Sequence, residues 1–374
     1  MLTWLRPMLV PLQVGADAST YLYYAIYTLL FVLMWIYGLR LSLYFTMRKM
    51  GKDMVKLEGM REGAKAKLRD ELAKYGGDPT VIKGQVDQLV TSIMIEPVSM
   101  DPKGIVYKLD RILKTYENYF KSRVASLTPN ADKTTRQNLS NLVEVGMALD
   151  YLFRYVRHLY TSAKKEHDFM SSVILQMNLP QLMETADAYY SSMGSFTKGE
   201  VIGDGLGPLV ASKIIASNPV KLVDEETVFS EMPYEGRKLV VVRAEGPGGT
   251  VGRPGEAIEK LLQLYPDTSM VVTVDAALKL EGERSGEIAE GIGAAIGGPG
   301  VDRFMIEETA TKNKVPMYAV VVKMSEKEAI TAMKDEVKNA SDGVIARVKK
   351  LIEDKTKPDA TVLLAGIGNT IGVH

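Results

Sequence analysis

The sequence predicts an α plus α/β protein, with an N-terminal transmembrane helix, a helical middle region and a C-terminal α/β domain with a mostly parallel sheet. An uncharged run precedes Arg40, apolar residues then recur at the helical period, and short β-branched segments alternate with helices from about residue 236. We therefore divide the chain into a short outer N-terminus at 1–17, a membrane helix at 18–43, a helical region at 44–200 and an α/β domain at 201–374.

The uncharged run extends from Ala18 to Leu39. At about 1.5 Å per residue, a helix of this length crosses a hydrocarbon core about 30 Å thick. Its tyrosines and Trp35 lie towards the two ends, as in the aromatic belts of membrane interfaces. A buried core helix and a cleaved signal peptide are the alternatives, but no Ala-x-Ala cleavage site follows the start of the chain. The run predicts one retained span, with the lipid bilayer as a partner through residues 18–39.

The distribution of basic residues predicts the orientation of that span. Only Arg6 and the amino terminus precede the run, whereas several basic residues follow it: Arg40, Arg48, Lys49, Lys52 and Lys56. Because Lys and Arg are retained on the cytoplasmic side, we expect a single-pass protein of the cell membrane. Its N-terminus would lie outside and its C-terminal body in the cytoplasm.

Composition limits the chemistry of the remaining chain. It has 46 Lys and Arg against 46 Asp and Glu, so no net charge attracts nucleic acid, and we expect no nucleic-acid partner. The absence of Cys excludes disulfides, thiolate nucleophiles and Cys-type zinc sites. With three His in the chain, acid–base chemistry must use carboxylates, Lys, Tyr or a bound metal.

The region 44–200 has the apolar spacing of helices. A segment at about 138–165 is apolar enough to resemble a second span, but Glu144, Asp150 and Arg154 fall on one helical stripe. Asp150 also precedes Arg154 by four residues, the favourable order for an ion pair. We interpret this segment as a core helix, and the helical region as the candidate surface for a protein partner or homo-oligomer.

The α/β domain begins with the glycine-rich turn Ile202–Pro208, which leads into an apolar helix. Such a turn can present backbone N–H groups to an anion, but short glycine patterns recur by chance and an ordinary turn is the preferred interpretation. The predicted strands that follow are 238–244, 269–274, 304–306, 317–322 and 361–365.

Ligands of α/β sheets bind beyond the C-terminal ends of the strands, so the candidate site residues are those that follow the predicted strands. The ligand-binding candidates are Gly246, Gly248, Gly249, Gly252, Gly366, Gly368, Asn369 and Thr370. The catalytic candidates are Asp275, Lys279 and Glu281, and the metal-binding candidates are Asp275, Glu281 and Glu283. Carboxylates suit Mg²⁺, the candidate cofactor, and Lys279 suits an anionic group.

Each of these residues also has a structural interpretation. Glycines form tight turns, carboxylates cap helices, and Lys279 with Glu283 has the spacing of a local pair. The loop after Glu245 lacks the Gly-Lys-Ser/Thr of a P-loop and the spacing of the dinucleotide fingerprint.

The chain resembles an archaeal membrane-protein family of uncharacterised function over nearly its whole length. The shared motifs are Ile202–Leu209, Glu245–Gly248, Asp275–Glu283, Gly291–Gly298 and Gly366–Thr370. This resemblance implies an archaeal source and no known activity.

The C-terminal region is similar, more distantly, to the fold of hydrogenase-maturation and spore-germination peptidases. In that fold, strands ending in Gly-x-Gly-Asn and Asp-Ala line the active site, as Gly366–Asn369 and Asp275–Ala276 would here. The order of the strands differs, the acidic pair that normally follows Gly-x-Gly-Asn is absent, and the metal-binding histidine has no clear counterpart.

Three functions stay open on this evidence. The first is a membrane-anchored protein whose α/β domain binds an anionic small molecule, with or without a divalent cation. The second is a metal-assisted, peptidase-like hydrolase with Asp275 and Glu281 or Glu283 as ligands or base. The third is a structural adaptor of a membrane complex.

Overall fold

The computed structural model describes residues 18–95, 97, 104–165 and 169–374. The predicted outer N-terminus at 1–17 lies outside these residues. Contacts divide the chain into two compact units, residues 1–55 with 157–179 and residues 56–156 with 180–374.

The first helix corrects the sequence analysis. Helix α1 extends from Ala18 to Ala73, well past the predicted end of the span. Among the described residues, no helix is both long and apolar enough to cross a membrane. Tyrosines at 21, 23, 24 and 27 lower the hydropathy of the first turns, and the side chains at 35, 36 and 39–43 are outside the described part. The predicted membrane helix and the single-pass membrane location are therefore wrong, whereas the lipid bilayer as a partner through residues 18–39 is not tested by this finding.

Nine further helices follow within the described residues. They are α2 (Pro79–Val90), α3 (Ile105–Leu127), α4 (Lys133–Lys165), α5 (Phe169–Lys198), α6 (Leu206–Ile215), α7 (Pro254–Leu264), α8 (Val301–Lys312), α9 (Glu326–Ile330) and α10 (Asp335–Lys355). The strands are β1 (Lys221–Asp224), β2 (Thr227–Tyr234), β3 (Arg237–Ala244), β4 (Thr268–Leu278), β5 (Ile288–Ile292), β6 (Met317–Met324) and β7 (Thr361–Gly366).

The helices of the second unit pack through the apolar stripes that their sequences predict. Leu57, Leu68 and Leu72 of α1 are fully buried. Helix α4 buries Asp150, whose carboxylate lies 2.8 Å from the Arg154 guanidinium and 3.9 Å from Lys65. A buried carboxylate with cations around it is tolerated because their charges offset its desolvation.

The sheet is mixed rather than mostly parallel. Its order is β1-β2-β3-β7-β4-β6-β5, in which the central strands β3, β7, β4 and β6 are parallel. Strands β1, β2 and β5 add antiparallel pairs at the two edges. Short turns at Glu225–Glu226 and Glu235–Gly236 join β1 to β2 and β2 to β3, and so short a connection permits only antiparallel pairing.

The predicted strand at 304–306 lies instead inside α8. A run of three apolar residues satisfies the pattern of a strand or of one helical turn, so periodicity does not separate the two.

Helices cover both faces of the sheet. Helices α6 and α10 pack on one face, around Val210, Val241 and Val344. Helices α7 and α8 pack on the other, around Ile258, Val271 and Ile306. Because β3, β7, β4 and β6 are parallel, their C-terminal ends lie at the same edge of the sheet. The helices on the two faces leave this edge uncovered, and α3 and α4 pack against it.

Candidate functional site

Helices α3 and α4 lie against the C-terminal edge of the parallel strands. Asn138 and Asn141 of α4 hydrogen-bond to the backbone N–H and carbonyl of Gly249, at 2.8 and 2.7 Å. Lys121 of α3 and Gln137 of α4 both donate to Glu226, at 3.0 and 2.8 Å. Two adjoining cavities are enclosed between these helices and the loops after the strands.

The smaller cavity, which we call the acidic cavity, has a volume of about 230 Å³. Its wall includes Asp204, Asp275, Gly297 and Ile367. The second, which we call the larger cavity, has a volume of about 410 Å³ and is lined mainly by α3, α4 and the loop 249–253. The two share Glu117 and the segment 251–253 as a common wall.

Two carboxylates from separate parts of the chain face the acidic cavity. Asp275 lies near the end of β4, is 4% exposed, and accepts hydrogen bonds from the N–H groups of Ala276 (2.7 Å) and Gly297 (3.1 Å). Asp204 lies in a short 3-10 turn at Gly203–Gly205 and accepts from the N–H of Asn369 at 2.9 Å. Both carboxylates are therefore held in position by backbone donors.

The environment of this pair favours its protonated forms. Burial raises the pKa of Asp275 well above its ordinary value, and the negative charge of Asp204 raises that pKa further. Burial also raises the pKa of Asp204, although the hydrogen bond from Asn369 opposes this effect. Because each ionised carboxylate disfavours ionisation of the other, the pair resembles in principle the proton-sharing dyads of acid–base enzymes.

The rest of the acidic cavity is lined by further acidic side chains and one guanidinium. Burial raises the pKa of Asp302, which also accepts a hydrogen bond from the Gly255 N–H at 2.9 Å. Arg253 lies 2.9 Å from Glu117, so its charge is already engaged. Asp110 and Glu256 are both paired with Lys114. This wall does not favour an anion.

The predicted catalytic and metal residues are not brought together. Lys279, Glu281 and Glu283 line a separate surface cavity of about 380 Å³. There Lys279 donates to Ser285 at 3.0 Å and Glu283 pairs with Lys323 at 2.5 Å. The cause is the length of β4, which continues for three residues beyond Asp275 at about 3.3 Å each.

The structure therefore brings together neither the predicted catalytic residues nor the predicted metal-binding residues. Across the ranges that the structure describes, no group of three His, Asp or Glu side chains is arranged to hold a metal ion. Asp275 lies within β4, three residues before its end, and its expected partners line a different cavity.

The predicted ligand-binding glycines approach protein atoms closely. A Cβ at Gly246 would clash with the Val373 carbonyl, and one at Gly248 with the side chain of Gln137. Gly249 and Gly366 are similarly packed against Asn141 and Gly207. Gly252 and Gly368 line cavities, with φ of +63° and +130°. Close packing against other parts of the protein accounts for most of these glycines. Contact between any of them and a ligand stays a prediction.

Asn369 and Thr370 connect the end of the chain to the loop after β3. The Asn369 side chain donates to Asn141 at 3.0 Å and accepts from the N–H of Ile371. The buried Thr370 hydroxyl lies 2.8 Å from the Gly248 carbonyl, and the Thr370 N–H donates to the Thr250 carbonyl at 2.9 Å. These contacts hold the cavity wall, and Asn369 itself lines the larger cavity.

Several carboxylates of these cavities are absent from the predicted site. Asp204 falls within the segment interpreted as an ordinary turn, and Glu144 falls on the helical stripe of the segment 138–165. A charged residue within the glycine-rich, apolar segment 202–208 was the one available signal for Asp204.

Two family matches cover most of the chain. Residues 24–199 match "Protein of unknown function (DUF1512) N-terminal domain", and residues 202–374 match "Domain of unknown function (DUF1512) C-terminal". No curated protein and no solved structure matches the chain.

Proposed function

We propose that this chain, a member of the DUF1512 family, binds a small molecule in the acidic cavity and exchanges protons with it through Asp204 and Asp275. The observation that carries the proposal is the meeting of these two carboxylates on one cavity wall at the C-terminal edge of the parallel strands. Buried titratable pairs in a cavity are costly to maintain, and they concentrate at functional sites.

Hydrolysis of an amide or ester is the reaction class that best suits such a pair. The ionised carboxylate would accept a proton from a water molecule as that water attacks the carbonyl carbon. The protonated carboxyl would donate its proton to the carbonyl oxygen, and the pair would later protonate the leaving group. The two roles require one proton between the two groups, which their mutual repulsion favours.

The charge of the cavity bears on its ligand. We propose a neutral or cationic substrate in place of the anion that the glycine loops suggested, because the wall carries Asp302 besides the pair, and its Asp110 and Glu256 share a single cation, Lys114. Arg253 is the wall's guanidinium and is occupied by Glu117.

The family resemblance adds two further proposals, one on the source of the chain and one on its likeness to a peptidase fold. We propose an archaeal source on the strength of the shared motifs alone. The likeness to hydrogenase-maturation and germination peptidases is supported by the adjacency of β4 and β7, which carry Asp275-Ala276 and Gly366–Asn369. In this chain, however, Asp204 supplies the second acidic group.

The proposal is tested with the purified full chain and a panel of dipeptides, dipeptide amides and small esters. We expect turnover of at least one class, with a bell-shaped dependence of kcat/KM on pH as the pair gains and loses its shared proton. Asp275→Asn and Asp204→Asn should each reduce kcat by about 10²-fold or more, the usual contribution of acid–base catalysis.

Two controls separate this proposal from its alternatives. Asp70→Asn, an exposed carboxylate on α1, should leave turnover unchanged. Metal-assisted hydrolysis predicts that EDTA abolishes turnover and added Mg²⁺ restores it, whereas a carboxylate pair predicts no response. The absence of both turnover and ligand-induced thermal stabilisation across the panel would contradict the proposal and favour the adaptor role.

A further inference from the structure

The larger cavity is a second candidate binding site. A ligand could bind there whether or not the acidic cavity has the proposed function. Its volume of about 410 Å³ lies in the usual range of small-molecule pockets, about 300–1,000 Å³. It has walls from α3, α4, the turn at Glu225–Glu226 and the loop 249–253.

Most acidic side chains of this cavity already have cationic partners. Glu226 lies 3.0 Å from Lys121, and its carboxylate also accepts from Thr250 at 2.6 Å. Glu225 lies 3.5 Å from the same Lys121, and Glu117 lies 2.9 Å from Arg253. Each of these three carboxylates therefore has a cation within 4 Å, and the three share Lys121 and Arg253.

Glu144 differs from these residues. It lies on α4, its side chain is exposed to the cavity, and it has no hydrogen-bond or ion-pair partner among the described residues. The surrounding protein withholds most of the solvent that would stabilise its charge. The pKa of Glu144 is raised to about 7, mainly by this desolvation and also by the charge of Glu117, while the charge of Lys121 opposes the rise.

Two tyrosines on neighbouring elements lie close enough to Glu144 for its charge to act on them. Burial is the main cause that raises the pKa of Tyr116 on α3 and of Tyr189 on α5; the Glu144 charge adds to both, and the Glu326 charge also raises that of Tyr189. The other charged side chains of the wall are Glu117, Lys121, Lys133, Arg136, Glu225, Glu226 and Arg253. Of these, Glu117 and Lys121 are the charges that act on Glu144.

Apolar residues complete the site. Phe120, Ala125 and Val251 line the cavity, and Phe120, which is 3% exposed, packs edge-to-face against Tyr116 with ring centroids 4.6 Å apart. Apolar surface beside a lone carboxylate suits a ligand that has a hydrocarbon body and a positively charged end.

We propose that the larger cavity binds an organic amine, whose ammonium group pairs with the Glu144 carboxylate while its apolar part lies along Phe120. An ammonium ion supplies the N–H donors and the positive charge that this carboxylate lacks. Neutral alcohols supply a donor without the charge, and carboxylates would be repelled.

The ion pair requires ionised Glu144, so binding is linked to pH. Below the pKa of about 7 the free carboxyl is mainly protonated, and the amine must displace that proton. The association constant of an amine should therefore rise by about tenfold per pH unit below pH 7 and level off above it. Binding at pH 6 should release a proton to the buffer.

The test is isothermal titration of the full chain with benzylamine, phenethylamine, agmatine and spermidine between pH 5.5 and 8.5. We expect saturable binding of at least one amine and at least tenfold weaker binding of benzyl alcohol in place of benzylamine. Glu144→Gln should weaken amine binding by at least tenfold at pH 8 and abolish its pH dependence, while Glu144→Asp should retain part of both.

Glu58→Gln is the control, because Glu58 is an exposed carboxylate on α1 that does not line the cavity. It should bind the amine as the wild type does. The inference is overturned if no amine binds better than benzyl alcohol at any pH, or if folded Glu144→Gln binds the amine like the wild type. Asp275→Asn should retain amine binding, so failure of the proposed hydrolysis and failure of this site are distinguishable.

Discussion

A carboxylate that is buried costs free energy when it is ionised, and Asp204 pays this cost in the folded state. Its pKa is raised by burial, so between the unfolded value near 3.8 and the folded value the native state binds more protons. Stability therefore falls as the pH rises through that window, and the loss is complete above the folded pKa.

Asp204→Asn removes this charge and keeps an oxygen to accept from the Asn369 N–H. We expect the variant to unfold at a higher temperature than the wild type at pH 7, and the two to converge below pH 3.8. Thermal unfolding followed by circular dichroism across pH 3–8 measures this. Equal midpoints for wild type and variant at pH 7 would contradict the raised pKa, with Asp70→Asn as the exposed control.

At the scale of elements, the N-terminus of α6 depends on one close approach. Gly207 lies in its first turn, against the carbonyl oxygens of Val274, within β4, and of Ile367, the residue after β7. Any side chain there would collide with backbone that two parallel strands hold in place. The same approach carries Asp204 to the cavity, because its turn directly precedes α6.

Gly207→Ala should therefore destabilise the protein by about 3 kcal/mol or more, as overpacking against fixed backbone does. Urea unfolding of the full chain measures the difference. Gly291→Ala is the control, because a Cβ at that position on β5 meets no atom within 4 Å. A cost below about 1 kcal/mol for Gly207→Ala would show that α6 can move away from the strand ends.

At the scale of the whole molecule, Glu226 connects helical region and sheet domain. It lies in the turn between β1 and β2 and accepts from Lys121 of α3, Gln137 of α4 and Thr250. Burial would raise its pKa, but these hydrogen bonds and the Lys121 charge outweigh burial and lower the pKa below its ordinary value of 4.5. Its contribution to stability is therefore present above pH 4.5 and is lost as the pH falls through the folded pKa.

Glu226→Gln should lower the free energy of unfolding by about 1.5–3 kcal/mol at pH 7, the range for hydrogen bonds to charged groups. The difference should shrink as the pH falls below 4.5, because the wild type then loses the same charge. Urea unfolding at pH 7 and pH 4 measures both values. Faster hydrogen exchange in α3 and α4 should accompany the loss, whereas Glu58→Gln, on the exposed side of α1, should change neither.

Local patterns predicted much of the secondary structure. The helical periodicity after residue 44, the ion pair of Asp150 with Arg154, and the four strands 238–244, 269–274, 317–322 and 361–365 appear in the fold. The antiparallel edge strands were missed because hairpin pairing depends on which neighbour a strand meets. The membrane span predicted from the uncharged run is wrong, because the tyrosines of the run lower its hydropathy despite its length and lack of charge.

The sequence by itself determined that Asp275 comes directly after a buried, β-branched run, which is a local signal of a strand. Only the tertiary structure decided which groups meet it. Asp204, on the wall of the same cavity as Asp275, comes from a turn 71 positions earlier in the chain. Glu144, which lines the larger cavity, comes from α4. Such distant residues are neighbours because parallel strands end at a common edge and α3 and α4 pack across it, and no local pattern records that packing.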